Sequence, residues 1–159
     1  MARPPREALP ERLQPSILDR LLGGDGDLDS YGLDEMYASV RRDLEDLLNT
    51  HAPPIEPPED CVLLRRSVAA YGLPDLASLL VVSERDGIAL SRVLEDILGR
   101  FEPRLKDVRV IREVEPDDAK LFRMRFQIEA RLAVEPYPNV AFQTVLEIAS
   151  GRTSVSGGS

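Results

Sequence analysis

From Asp34 onward, apolar side chains recur at Met36, Tyr37, Val40, Leu44, Leu47 and Leu48, with Arg41, Arg42, Asp43, Glu45 and Asp46 between them. Spacings of three and four place the apolar set on one stripe of an α-helix. A second stripe runs through Leu90, Val93, Leu94, Ile97, Leu98 and Phe101. Ser83 and Asp86 precede it as a weakened capping box, with Asp where Glu or Gln is usual. Pro103 stops this helix, because it lacks an N–H and disfavours a helical Glu102. The period then becomes two. Val108 and Val110 begin an extended pattern, and Glu115-Pro116-Asp117-Asp118 spells a turn with Pro set for its second position. Phe122, Met124, Phe126, Ile128, Ala130, Leu132 and Val134 alternate with polar residues, a second strand. Pro136 and Pro138 break it, and Val140, Phe142, Thr144, Leu146 and Ile148 form a third. One face of such a sheet needs cover, and the two helical stripes supply it. The pattern therefore predicts an α+β fold: two long amphipathic helices plus short helices packed on a three-stranded antiparallel meander.

The remaining segments organise around that unit. Residues 1–15 hold Pro4, Pro5, Pro10 and Pro15 among mixed charges and predict a flexible N-terminal arm. Ser16 caps Ile17-Leu18-Asp19-Arg20-Leu21-Leu22, about two helical turns, too few to persist without a partner or the domain to dock on. GGDGDLDSYG reads as a loop, and the prolines at 53–54 and 57–58 enforce an extended linker. Residues 61–68 read as a short strand or extended segment. YGLPDL at 71–76 reads as a turn followed by a short helix capped by Asp75. Residues 16–151 form a single predicted domain, and 152–159 a polar tail.

Charge narrows the function classes. Twenty Lys and Arg stand against 28 Asp and Glu, a formal net charge of −8, which argues against a general nucleic-acid binder. No apolar run approaches the roughly 20 residues of a membrane span, and no apolar signal segment opens the chain. One cysteine, Cys61, cannot form an internal disulfide and fits a reducing, cytoplasmic setting, where it reads as a half-buried structural residue. Aromatics are 5% with no Trp, too few to line a sugar-binding or base-stacking groove. The charge is uneven: residues 19–46 carry nine acids and three bases, a net of −6, whereas residues 120–131 carry a net of +3. Arg123, Arg125 and Arg131 share one face of one strand. That face is either a solvated outer surface or a docking surface for an acidic partner.

Catalytic and metal chemistry find little support. His51 precedes a proline linker, with no base and orienting group around it. Asp25-Gly-Asp27-Leu-Asp29 opens like a calcium loop, but Ser30 and Met36 stand where that loop needs Gly and Glu. Glu102 is the one carboxylate at a suggestive corner. A glycosidase needs a second carboxyl about 5–10 Å away, and Glu84, Asp86, Glu95 and Asp96 are candidates that sequence alone does not bring there. On local pattern, Glu-Pro-Arg is a helix stop followed by a strand start. No catalytic residue, metal site or cofactor is assigned.

Five stretches together carry a family resemblance: PSILDRL (15–21), YGLPDL (71–76), LEDILGRFEPRLKDVRV (94–110), FRMRFQIEARL (122–132) and VAFQTVLEIASG (140–151). Their content and order resemble the TssE family of type VI secretion baseplate components, within the lysozyme-like wedge-protein family shared with contractile phage baseplates. Ala70 stands where the pattern has Asn, and the loop at 23–29 and the proline linker at 53–58 are peculiar to this chain. The resemblance implies a non-enzymatic structural subunit that binds the wedge subunits TssF and TssG and templates the contractile sheath; the two unpaired edges of a three-stranded meander offer strand pairing as the means. A peptidoglycan hydrolase is the alternative. It also implies that Glu102, Pro103 and Arg104 attach the protein to the wedge. Ile17, Leu18, Leu21 and Leu22 are expected as a second, apolar contact, and Arg123, Arg125 and Arg131 as a face that orients sheath subunits. No nucleic-acid partner and no direct membrane insertion are expected.

Overall fold

The computed structural model describes residues 15, 17–22, 31–54, 57–74, 84–118, 120–134, 138–147 and 150–157. The predicted arm apart from Pro15, the loop at 23–30, the short helix from Asp75, the Ser83 cap and the Pro136 break lie outside them. The elements run α1 (Ile17–Leu22), α2 (Leu33–Asn49), α3 (Val62–Arg65), a 3-10 turn (Val68–Ala70), α4 (Glu84–Phe101), β1 (Leu105–Glu113), β2 (Arg123–Leu132), β3 (Asn139–Glu147) and β4 (Arg152–Gly157).

The apolar stripes form the two long helices because each has a face to bury. In α2, Met36, Val40, Leu44, Leu47 and Leu48 are buried; in α4, Leu90, Leu94, Ile97 and Leu98 are buried. Glu35 reaches back to accept the Gly32 N–H at 2.9 Å, relieving one unpaired donor at the start of α2. The helices lie on one face of the sheet, α4 against β1 and α2 against β4. That face presents Phe126, Ile128, Leu132 and Phe142, all fully buried. Each such side chain contributes about 1.5–3 kcal/mol relative to exposure.

The sheet has four strands, all antiparallel, in the order β1-β2-β3-β4. This corrects the expected three-stranded meander. The fourth strand comes from residues read as a polar tail. Thr153 and Val155 point inward and are buried, while Arg152, Ser154 and Ser156 point out. Two short inward residues leave a weak hydrophobic signal, but both are β-branched and suit a strand. The connection is tight: Gly151 has φ +66° and its N–H bonds the Glu147 carbonyl at 2.8 Å.

Three other expectations change. Residues 61–68 are not extended but hold α3 and the start of the 3-10 turn, where the Ser67 hydroxyl accepts the Ala69 N–H at 3.2 Å. Cys61 is exposed rather than half-buried. Phe122, placed by its alternation on the core face, is 63% exposed. β1 also departs from simple alternation. Its register with β2 shifts between Lys106 and Arg109, and Asp107 sits there at φ +51°. One extra residue in β1 lets Leu105 and Val110, of opposite parity, both face the core.

Helix side chains close both edges of the sheet at one point. On β1, the Glu95 carboxylate accepts the Val110 N–H at 2.9 Å. On β4, the Asn49 amide accepts the Thr153 N–H at 2.9 Å and donates to its carbonyl at 2.8 Å. Asn49 thus stands in for a missing neighbour strand. Asn49→Ala leaves both Thr153 groups without these partners and should destabilise the protein by about 1–3 kcal/mol, read as a lower urea midpoint with an unchanged denaturant slope.

Candidate functional site

The corner between α4 and β1 gathers the residues singled out in sequence. The Glu102 N–H bonds the Leu98 carbonyl at 2.9 Å, the last bond of α4. Pro103 cannot continue the ladder and is exposed. The Leu105 N–H turns back to the Glu102 carbonyl at 3.1 Å, and the Arg104 carbonyl accepts the Ala133 N–H at 2.7 Å, joining the corner to the chain just past β2.

The side chains of Glu102 and Arg104 face each other. Arg104 donates Nε to Glu102 Oε1 at 2.7 Å and Nη2 to Oε2 at 2.5 Å, a bidentate fork. The same Nη2 reaches Asp43 Oδ2 at 2.6 Å, and Nη1 reaches Ser39 Oγ at 3.2 Å. Ser39 and Asp43 are one turn apart on α2, so the guanidinium joins α2 to the α4–β1 corner. Glu102 is buried, at 5% exposure, whereas the Arg104 side chain keeps 24%. Burial works against the Arg104 charge, and the bonds to Glu102 and Asp43 outweigh it and raise its pKa. Asp43 accepts from Arg42 as well, Nη2 to Oδ1 at 3.2 Å.

Beside this network opens a cleft of about 310 Å³, lined by Tyr31, Met36, Asp43, Leu47, Tyr71, Phe101, Glu102, Pro103 and Arg104. Tyr71 meets Phe101 edge to face, with centroids 5.3 Å apart. The following Gly72 makes this possible. It has φ +115°, and a Cβ there would lie 2.5 Å from the Thr50 carbonyl oxygen. The chain passes that close because Leu73 pairs with the segment around His51, through the Ala52 N–H to the Leu73 carbonyl at 2.8 Å and the Leu73 N–H to the Thr50 carbonyl at 2.7 Å. Burial, then the charges of Asp46, Asp43 and Glu102, push the Tyr71 phenol above the ordinary tyrosine value.

The other candidates lie elsewhere. Ile17 and Leu21 on α1 are 77% and 78% exposed, and the side chains of Leu18 and Leu22 are outside the described set. Arg123, Arg125 and Arg131 do lie on the uncovered sheet face, but each is paired within the chain. Arg123 meets Glu147 at 2.8 Å, Arg125 meets Asp118 at 2.9 Å, and Arg131 reaches Asp107 through Nε at 2.7 Å. His51 is exposed, and among the described residues no group of three or more His, Cys, Asp or Glu is placed to hold a metal ion. The acidic loop at 25–29 falls outside that set. No helix among the described residues is long and apolar enough to cross a membrane. Sequence reading missed Ser39 and Asp43 as members of the site. They fall four apart on the shoulder of the α2 stripe, and that spacing was the available signal.

A corner that spends its charged groups on one another, with an exposed proline and an aromatic cleft at its side, is architecture for holding shape. The chain belongs to the family of the baseplate wedge protein gp25, whose model GPW_gp25 matches residues 34–137. That span contains α2 from its second residue, α4, the whole corner, β1 and β2. A chain of the solved baseplate complex from the type VI secretion system shares the fold, with a TM-score of 0.51 at 22% identity over 71% of this chain and 95% of that one. No curated protein matches the chain.

Two outcomes test the corner. Arg104→Ala leaves the Glu102 carboxylate buried without its fork and should cost about 3–5 kcal/mol in urea unfolding, part of it recovered when Glu102→Gln is added. Tyr71, with a pKa higher folded than unfolded, stabilises the fold while protonated. That contribution is whole below about pH 10 and is lost as pH rises through the folded value. In an ultraviolet absorbance titration of the four tyrosines, Tyr71→Phe should remove a late-titrating phenol.

Proposed function

We propose that the protein is a TssE-type structural subunit of a type VI secretion baseplate, that it binds the wedge subunits TssF and TssG, and that it starts the contractile sheath by strand pairing. The observation that carries this reading is the family match across residues 34–137. Likeness to a chain of a type VI baseplate complex supports the choice of machine. The protein acts as a shaped part rather than as an enzyme. Both oxygens of Glu102 are held by Arg104, and among the described residues no second carboxylate shares its cleft except Asp43, which Arg104 also binds. A general acid poised over a glycosidic bond needs the opposite environment.

Wedge binding is assigned to the corner cleft and to α1. Pro103 and the exposed part of Arg104 border the cleft, and Ile17 and Leu21 offer an exposed apolar face on α1. The internal pairing of Glu102 with Arg104 gives them the task of fixing the angle at which this surface meets a partner. Arg123, Arg125 and Arg131 are proposed to orient an arriving sheath subunit through the rim of the charge ladder they form. The setting is the cytoplasm.

Sheath templating is assigned to β4. The β1 edge is interrupted by the bulge at Asp107, and bulges blunt an edge against strand addition. β4 shows no register shift. Alternate residues of an edge strand turn both backbone groups outward. Thr153 is one of these and is closed by Asn49, so among the described residues Val155 is the next outward-turned position for an incoming strand. Val155→Pro removes that outward N–H, and Val155→Ala removes comparable packing but keeps it. In a sheath-assembly assay with purified sheath subunits, the proline variant should fail to initiate while the alanine variant succeeds, both checked as folded by circular dichroism. Equal initiation by the two would exclude β4 as the template edge.

A further inference from the structure

The turn between β1 and β2 carries a feature that the corner and the sheet edge do not use. Phe122, Leu121 and Val114 are 63%, 52% and 77% exposed. Phe122 has φ +51°, the left-handed region, which a bulky side chain enters only at a cost. The turn explains how it is held there. The Arg123 N–H bonds the Asp118 carbonyl at 3.0 Å, and the Leu121 N–H bonds the Asp117 carbonyl at 3.0 Å. The first is the six-to-one bond of a Schellman-type ending, and Phe122 occupies the position where glycine is the usual residue. Asp118 anchors the turn. It is 6% exposed, accepts Arg125 Nε at 2.9 Å and accepts the Glu115 N–H at 3.0 Å. An ion pair between buried Asp118 and half-exposed Arg125 therefore braces this turn.

An aromatic residue that strains its backbone and leaves its ring in water contributes little to its own fold. We propose that this tip is a docking knob, in which Phe122, with Leu121 and Val114 at its base, enters an apolar pocket with a basic rim on a neighbouring protein. Charge selects the rim: Asp117 is paired with Lys120 and Asp118 with Arg125, and Glu115, exposed beside Val114, is the acid that faces a partner. The same acid, within a chain of net charge −8, opposes an anionic bilayer, the other surface that suits exposed Phe and Leu. The tip stands at the far end of β1 from the Glu102–Arg104 corner, about 30 Å away for a nine-residue strand, so the two contacts are separate. The inference rests on the baseplate reading only for the assembly in which the neighbour is sought.

The experiment uses the full chain in cells that assemble the secretion machine. A benzophenone amino acid at position 122, and in a second strain at exposed Pro103, is activated by light and the cross-linked peptides are read by mass spectrometry. The expected product at 122 is one protein, joined at a peptide that carries apolar residues beside Lys or Arg. Phe122→Gly relieves the left-handed strain, so its urea midpoint should hold or rise. Its recovery with that cross-linked neighbour should fall roughly tenfold or more, as for loss of an aromatic hot spot. Cross-links to lipid, undiminished recovery of Phe122→Gly, or a lowered midpoint would each overturn the knob. Silence at 122 with product at 103 overturns the knob and leaves the baseplate reading standing, whereas silence at both counts against both.

Discussion

The guanidinium of Arg104 is the group on which the arrangement of this molecule turns. It forks onto Glu102 at the end of α4, reaches Asp43 and Ser39 on α2, and sits on a backbone whose carbonyl is tied to Ala133 beyond β2. Two parts of the chain, α2 and the α4–β1 corner, meet at one planar cation, and a third, just past β2, is tied to its backbone carbonyl. Lysine could not replace it, because a single ammonium has no fork to match a carboxylate while also reaching a second helix. Desolvation makes such a site expensive, and the geometry compensates because every nitrogen has an oxygen partner. Such a joint stabilises less through its net energy than through its angle. It ties α2 to the corner where α4 ends and β1 begins.

The same economy governs the sheet. Its covered face is packed with Phe126, Ile128 and Phe142, and its uncovered face is a ladder of opposite charges across strands: Arg109 stands opposite Glu129, Glu113 opposite Arg125, and Arg123 opposite Glu147. Cross-strand pairs of this kind each contribute roughly 0.2–1 kcal/mol and disfavour slipped registers. Glu95 and Asn49, one from each long helix, cap one position on each edge. The helices therefore do more than cover apolar surface; each also closes one position of an edge, Val110 on β1 and Thr153 on β4.

Much of this was legible in the chain. The helical stripes of α2 and α4 lie where spacings of three and four place them, and the turn at Glu115–Asp118 closes through the Asp118 N–H to the Glu115 carbonyl at 3.1 Å. What escaped has physical causes. β4 was hidden because Thr153 and Val155 are its only inward residues, and its edge is satisfied by Asn49, more than a hundred positions away. α3 was read as extended because Val62, Leu63 and Leu64 form a short apolar run, a pattern that does not tell helix from strand. Phe122 continued an alternation that ends at Met124, and only the backbone dihedral turns it out. Glu102 was expected at the surface because sequence reports its charge but not the cation folded over it. The local rules succeed where one element decides, and fail where a partner from elsewhere in the chain supplies the missing bond.

The bulge at Asp107 acts as a phase shifter for β1. Ahead of it Leu105 faces inward on odd numbering, and beyond it Val110 does so on even numbering. Loss of that single residue, unlike exchange of its side chain, would rotate everything downstream by half a period, driving Arg109 and Ile111 toward the helices and Val110 into water. Sequence length at this point is therefore more tightly constrained than residue identity. A relative with one residue fewer between the corner and the first hairpin would need a second compensating deletion or insertion before Glu113, or a differently faced strand.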